Sequence, residues 1–113
     1  MVFCNCSSLA SVIIPDSVTT IGNSAFYKCS SLTSITIPGS VTTIRSWVFG
    51  DCGNLTSVYC KATIPPAGGN NMFSYEDHKP IGCTIYVPKE SVSAYKRAEY
   101  WSEYAYDIVG YNF

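Results

Sequence analysis

The residues with the potential for chemistry in this chain are one histidine and six cysteines. His78 lies in the segment SYEDHKP beside Glu76 and Asp77, and a histidine next to carboxylates can serve as a general base or a metal ligand. A solvated polar loop accounts for the same residues, since the chain holds no second histidine. We favour the loop, and we predict no catalytic residue and no metal site at this position.

The cysteines also lack the spacing of a reactive or metal-binding motif. Cys4 and Cys6 are too close together for a zinc pair, and C-x-x-C does not occur. The glycine-rich signatures of phosphate binding and the G-x-S-x-G turn of a nucleophilic serine are absent from the sequence as well. We therefore predict that the protein is not an enzyme and requires no cofactor.

Composition argues against two classes of partner. The formal net charge is −1 and only 13% of the residues are charged, whereas a nucleic-acid-binding protein presents a basic stripe. No apolar run approaches the roughly 20 residues of a membrane-spanning helix. Residues 1–20 lack the basic start and continuous apolar region of a signal peptide. We expect no binding to nucleic acid and no direct membrane insertion.

The sequence around these residues is built from a repeated unit. The segments IPDSVTTI at 14–21 and IPGSVTTI at 37–44 agree at seven of eight positions. Four sets of apolar positions recur at the same step of 23 residues: Cys6, Cys29 and Cys52; Phe3, Phe26 and Phe49; Leu9, Leu32 and Leu55; Val12, Ile35 and Val58. A fixed period of this length is typical of small units that bury their apolar faces by stacking on one another.

Each unit predicts one strand, one turn and one short back segment. Leu32, Ile35 and Ile37 have the alternation of a strand, and the following Pro-Gly-Ser ends it. The back segments at 23–26 and 46–49 are compatible with a turn or a short helical segment. Stacked units of this kind predict a repeat solenoid with a short parallel strand ladder over residues 1–61, in which the first unit is truncated.

The stacked units place Cys6, Cys29 and Cys52 in one interior column. Neighbouring units lie about 4.8 Å apart, so spacing alone leaves a disulfide open, and Cys60 with Cys83 is the other pair to consider. We favour packing residues over disulfides, because a thiol behaves as a small apolar side chain.

The pattern changes after residue 61. Val87 follows Ile37 by 50 positions, which is two periods plus four. This offset predicts a final irregular repeat over residues 62–88 with a loop inserted at 74–80, and it puts Phe73 in the place of Phe49. Residues 89–113 predict a helical cap in which Ser91 is a candidate N-cap. Its apolar face consists of Val92, Tyr95, Ala98, Trp101, Tyr104, Ala105 and Ile108.

The unit from Leu32 to Cys52 resembles a known family. It follows the pattern L-x-x-I-x-I-P-x-S-V-x-x-I-x-x-x-A-F-x-x-C, with Val48 in the alanine place, and this pattern resembles the BspA-type leucine-rich repeat. The segment IYVPKESVSAYKRAEYWSEYAYDIVG at 85–110 is similar to the tail of many such proteins from anaerobic gut and oral bacteria. The resemblance implies a leucine-rich repeat fold in an extracellular or cell-surface protein, and some members of the family are adhesins.

Strand alternation predicts which side chains face outward. The candidate ligand face consists of Ser34, Thr36, Ser57, Tyr59, Thr84 and Tyr86. The two tyrosines either contact a partner or merely pair across neighbouring strands. Trp47, which stands where the preceding unit has Ser24, is either a second exposed contact or a residue packed against the neighbouring repeat.

We predict a non-enzymatic module that binds a host or bacterial surface protein, or a glycan, through the strand face. The alternative is a structural spacer or end cap of a longer repeat protein, with no ligand of its own. Because the first unit lacks its strand and turn, we expect the chain to be part of such a longer protein. Its uncapped N-terminal end then predicts a homodimer, and the candidate self-association residues are Val2, Phe3, Leu9, Val12 and Ile14.

Overall fold

A computed structural model describes residues 10–75 and 77–113 of the chain. The described residues form parallel strands linked by turns, with helical structure only near the C-terminus. The strands are β1 (Thr20–Ile21), β2 (Ser34–Ile37), β3 (Thr43–Ile44), β4 (Ser57–Cys60), β5 (Thr84–Pro88) and β6 (Ile108–Tyr111). The helices are α1 (Val92–Arg97) and two 3₁₀ helices at Lys89–Ser91 and Trp101–Asp107.

The main sheet has the order β2-β4-β5-β6, and every pair in it is parallel. Alternate residues of each strand point inward, so that Ile35, Val58, Ile85 and Ile108 form one buried column across the four strands. The pairing step is 23 residues between β2 and β4, where Ser34 faces Ser57. It rises to 27 between β4 and β5, where Ser57 faces Thr84. Parallel strands at a repeated step, with few helices, fit a repeat fold.

A second ladder joins β1 to β3 and extends by a bridge from Thr43 to Ala67. The step of 27 exceeds the period of 23 by four residues. The bridge from Thr43 to Ala67 spans 24 positions, so one of these four extra residues is inserted before Ala67. The remaining three enter after Phe73, which lies 24 positions after Phe49 and stacks on it. The segment that holds them folds back through a bridge between Ser74 and Pro80. The two departures from the period together give the step of 27.

The back segments are turns, which is one of the two forms that the sequence allowed, and they contain no helical segment. Ser24, Trp47 and Asn71 occupy equivalent positions and all have a left-handed backbone, with φ between 56° and 59°. This conformation interrupts a right-handed helix. It also aims alternate N–H groups at the next repeat: Phe26 N–H donates to Val48 O at 2.9 Å, and Phe49 N–H donates to Met72 O at 2.9 Å.

The C-terminal segment is less helical than its sequence predicted. The apolar face expected of it is largely correct, since Tyr95, Trp101, Tyr104 and Ile108 are buried. Helical structure ends at Asp107, however, because the next four residues pair with β5 as strand β6. Ser91 makes no side-chain cap, and its hydroxyl donates instead to Thr63 O at 2.7 Å. None of the helices in the described ranges has the length and apolar character needed to cross a bilayer.

Three buried aromatic residues attach this segment to the irregular repeat through their polar atoms. Tyr95 Oη donates to Ala62 O at 2.5 Å, and Trp101 Nε1 donates to Pro66 O at 2.8 Å. Tyr104 Oη accepts from Phe73 N–H at 3.1 Å and shares a bond of 2.8 Å with Ser74 Oγ. Buried main-chain groups of the loop after β4 thereby gain the partners that burial requires.

Gly69 allows the irregular repeat to approach its neighbour. A Cβ atom at this position would overlap the backbone of Arg45 and Ser46 and lie 2.6 Å from Arg45 O. Because backbone atoms cannot move aside as a flexible side chain can, we expect Gly69→Ala to lower the free energy of unfolding by about 1–3 kcal/mol. Urea titration followed by circular dichroism measures this change.

Gly22 provides the matched control, since it occupies the equivalent position two repeats earlier and a Cβ there would meet no atom within 4 Å. Gly22→Ala is expected to change the free energy of unfolding by no more than about 1 kcal/mol, because it mainly restricts the unfolded chain. Equal losses in the two variants would show that the close approach at Gly69 is unimportant.

Candidate functional site

The outward side chains of the sheet form two columns. Ser34, Ser57 and Thr84 make one, and the register of the strands places Thr36, Tyr59 and Tyr86 side by side in the other. Ile13 extends the second column through a bridge to Thr36, and Val109 of β6 extends it at the opposite end. The six residues of the predicted ligand face therefore lie together on one surface.

Four aromatic side chains cluster at one end of this surface. Tyr59 and Tyr86 are half-buried and stack with their ring centroids 4.8 Å apart. Tyr111 of β6 packs its ring edge-on, 5.5 Å from Tyr59 and 5.4 Å from Tyr86, and Phe113 lies 4.8 Å from Tyr111. We call Tyr59, Tyr86, Tyr111 and Phe113 the aromatic cluster. Tyr111 and Phe113 remain 43% and 48% exposed, so part of the cluster is open to solvent.

The sequence left open whether Tyr59 and Tyr86 contact a partner or pair with each other, and their stacking answers the second part. Tyr59 and Tyr86 do pair across neighbouring strands, and such pairs stabilise a sheet by themselves. Tyr111 and Phe113 were missed in the sequence because β6 was taken for helix. The only signal in the sequence was residue type, since Ile108, Val109 and Tyr111 are of kinds enriched in strands.

A cavity of about 240 Å³ lies beside the aromatic cluster, above the exposed side chain of Thr36. We call it the Thr36 cavity. Its walls include the apolar side chains of Ile13 and Pro38, and its lining also includes Asp16 and Lys61. Thr36, which lines the cavity, is the register partner of Tyr59, so the cavity lies next to the aromatic cluster. The surface thus combines aromatic rings, hydroxyl groups and one charge of each sign.

The back of the molecule carries the two other residues singled out by the sequence. Trp47 packs against its neighbours, edge-on to Tyr27 with ring centroids 6.1 Å apart, and 5.7 Å from the His78 ring. Gly50 makes room for it, because a Cβ atom there would lie 2.7 Å from the Trp47 ring. His78 is exposed and Glu76 lies outside the described residues. Residues 10–75 and 77–113 contain no group of three or more His, Cys, Asp or Glu side chains that could hold a metal ion.

The buried cysteines are packing residues. Cys52, Cys60 and Cys83 are free thiols, so no disulfide joins Cys60 to Cys83. Desolvation raises the pKa of Cys52 and Cys83 to about 12 and that of Cys60 to about 11. Because the thiolate is the reactive form, these side chains are unreactive near neutral pH. Cys4 and Cys6 lie outside the described residues.

Two of the five predicted self-association residues lie within the described part of the chain. Val12 and Ile14 are half-buried against the core, and Ile13 between them is 92% exposed. All three line an apolar cavity together with Val18 and Phe26. Val2, Phe3 and Leu9 lie outside the described residues.

The parallel ladder, its period of 23 residues and its hydroxyl- and tyrosine-bearing face define the class of the molecule, which is a repeat protein. Within that class, residues 1–94 match the family model described as BspA type leucine rich repeat region, and the chain belongs to this family. The resemblance seen in the sequence is thereby confirmed. A comparison with curated proteins returned no match.

Proposed function

We infer that this chain is a non-enzymatic binding module from a secreted or cell-surface solenoid protein, and that it binds a host or bacterial surface protein or a glycan through the strand face. The aromatic cluster is the observation that carries this proposal. Tyrosine side chains combine a large contact area with a low entropic cost of ordering, and they are enriched among residues that dominate binding energy. Membership of the BspA-type family supports an extracellular location.

A binding screen against matrix proteins, bacterial surface proteins and glycans tests the proposal. For any partner found, we expect the double variant Tyr59→Ala with Tyr86→Ala to weaken binding at least about tenfold, since it removes the centre of the contact surface. Surface plasmon resonance measures the change.

Tyr106→Ala is the matched control, because Tyr106 is fully exposed on the 3₁₀ helix at Trp101–Asp107 and makes no part of the face. Thermal unfolding of both variants separates loss of contact from loss of folding. A partner that binds the folded double variant as tightly as the parent would place its site on another surface.

A structural spacer or end cap is the second candidate function, and the apolar cavity around Ile13 favours it. An apolar surface at the end of a repeat stack is suited to a further repeat or a second copy. We expect the chain to dimerise through this end at micromolar concentration, and Ile13→Asp to give a monomer. Light scattering coupled to chromatography measures the mass, and a monomeric parent chain at high concentration would contradict self-association.

A further inference from the structure

We propose that the ligand of the strand face is an uncharged carbohydrate chain, one sugar of which enters the Thr36 cavity beside Tyr59. This proposal rests on the proposed function, because it names the class of ligand for the same surface. Three observations support it: the shape of the cavity, the opposite charges that line it, and the pairing of the underlying strands on both sides.

The shape of the cavity follows from the register of the strands. Thr36 lies between Ile13 on one side and Tyr59 on the other, so a small side chain separates two large ones. Strands lie about 4.8 Å apart, and the gap between the flanking residues is therefore about 10 Å. The cavity of about 240 Å³ starts at this gap and extends from Ile13 past Thr36 to Pro38 and Lys61. Its volume is enough for a single six-membered sugar ring.

The polar groups around the cavity suit hydroxyl ligands. The Asp16 carboxylate accepts hydrogen bonds, the Lys61 ammonium donates them and the Thr36 hydroxyl does both. The two charges have opposite signs, so the site gives no net preference to an anion or a cation. Sugar hydroxyls both donate and accept, and the C–H face of the ring matches apolar walls such as Ile13 and Pro38.

The sheet backbone disfavours strand addition by an extended peptide at the Thr36 cavity, since among the described strands only β6, at the far edge of the four-stranded sheet, is paired on one side alone. The strands that carry Thr36, Tyr59 and Tyr86 are paired with neighbours on both sides, β2 by the bridge at Ile13 and the others by continuous ladders. A peptide can therefore not add to them by main-chain hydrogen bonds, which supply the affinity in strand addition. It would depend on side-chain contacts alone.

The test uses the whole chain and a panel of neutral tetrasaccharides built from glucose, N-acetylglucosamine, xylose and mannose. Calorimetry measures the dissociation constant for the parent, for Thr36→Arg, which fills the cavity, and for Tyr59→Ala. We expect at least one tetrasaccharide to bind, and each variant to weaken it about tenfold or more. Ser93→Arg on α1 is the control for an added arginine and Tyr106→Ala for a lost tyrosine, since both positions are exposed and neither lies on a strand of the face.

Two results would overturn the proposal in different ways. If a protein partner depends on Tyr59 and Tyr86 while Thr36→Arg leaves its binding unchanged and no tetrasaccharide binds, the face is a protein-binding surface and only the ligand class is wrong. If tetrasaccharides bind the parent and the two variants equally, or if neither class of ligand binds, the strand face is not the site and the proposed function fails with the inference.

Discussion

Replacing Trp101 by alanine is expected to lower the free energy of unfolding by about 3–5 kcal/mol. The indole ring is fully buried, and it packs edge-on to Tyr95 at 4.9 Å and tilted against Phe73 at 5.8 Å. Its Nε1 also donates to Pro66 O at 2.8 Å. The truncation therefore leaves a cavity at the end of the last repeat and a buried carbonyl without its donor.

Urea unfolding followed by circular dichroism measures this effect, and a total stability of about 5–15 kcal/mol makes it easy to detect. Trp101→Phe keeps most of the ring and loses the hydrogen bond, so we expect an intermediate loss of about 1–2 kcal/mol. Tyr106→Ala removes an exposed ring from the same 3₁₀ helix and is the neutral control. If Trp101→Ala unfolded in two separate transitions, the C-terminal segment would be an independent unit and not part of the cooperative core.

The sequence predicted the stacking of the repeats because their apolar positions recur at one step. Ile35, Val58 and Ile85 are buried in a single column, and Phe73 stacks on Phe49 in the position that the offset indicated. Burial of equivalent side chains against each other is what holds such units together. The same register brings Thr36, Tyr59 and Tyr86 together on the outer face. The central residues of the candidate site could therefore be predicted from the repeat spacing alone.

The conformation of the back segments could not be predicted from their sequence. Residues 23–26 and 46–49 contain no proline and are compatible with a helical turn. What decides their conformation is a set of hydrogen bonds between repeats, such as Phe26 N–H to Val48 O, and these depend on how closely the repeats stack. The left-handed backbone of Trp47 is the cost of that arrangement.

The C-terminal strand was missed for a related reason. Ile108 continues the helical spacing of Tyr104 and Ala105, so periodicity alone favours a longer helix. The partner that converts residues 108–111 into a strand is β5, which is a tertiary contact. As a consequence Tyr111 and Phe113, which complete the aromatic cluster, could not be assigned to the strand face. The Thr36 cavity also depends on relative side-chain size in adjacent strands and became visible only with the fold.

Phe49→Ala is expected to lower the free energy of unfolding by about 3–5 kcal/mol. The ring lies in the middle of a column of three, 5.3 Å from Phe26 and 5.4 Å from Phe73, and the planes of neighbouring rings are within 3° of parallel. It is fully buried, so its removal leaves a cavity between two repeats. Because both neighbours lose a contact at once, we expect a single cooperative transition that shifts to lower urea concentration.

A double-variant cycle with Phe73→Ala isolates the stacking contact. We expect the loss in the double variant to fall short of the sum of the single losses by about 0.5–1.5 kcal/mol, which is the usual coupling of an aromatic pair. Phe113→Ala is the control, since that ring is 48% exposed and lies on the strand face, away from the column. Additive losses at Phe49 and Phe73 would mean that the rings contribute by burial alone. A loss at Phe49 no larger than at Phe113 would mean that the repeats are not held together by this column.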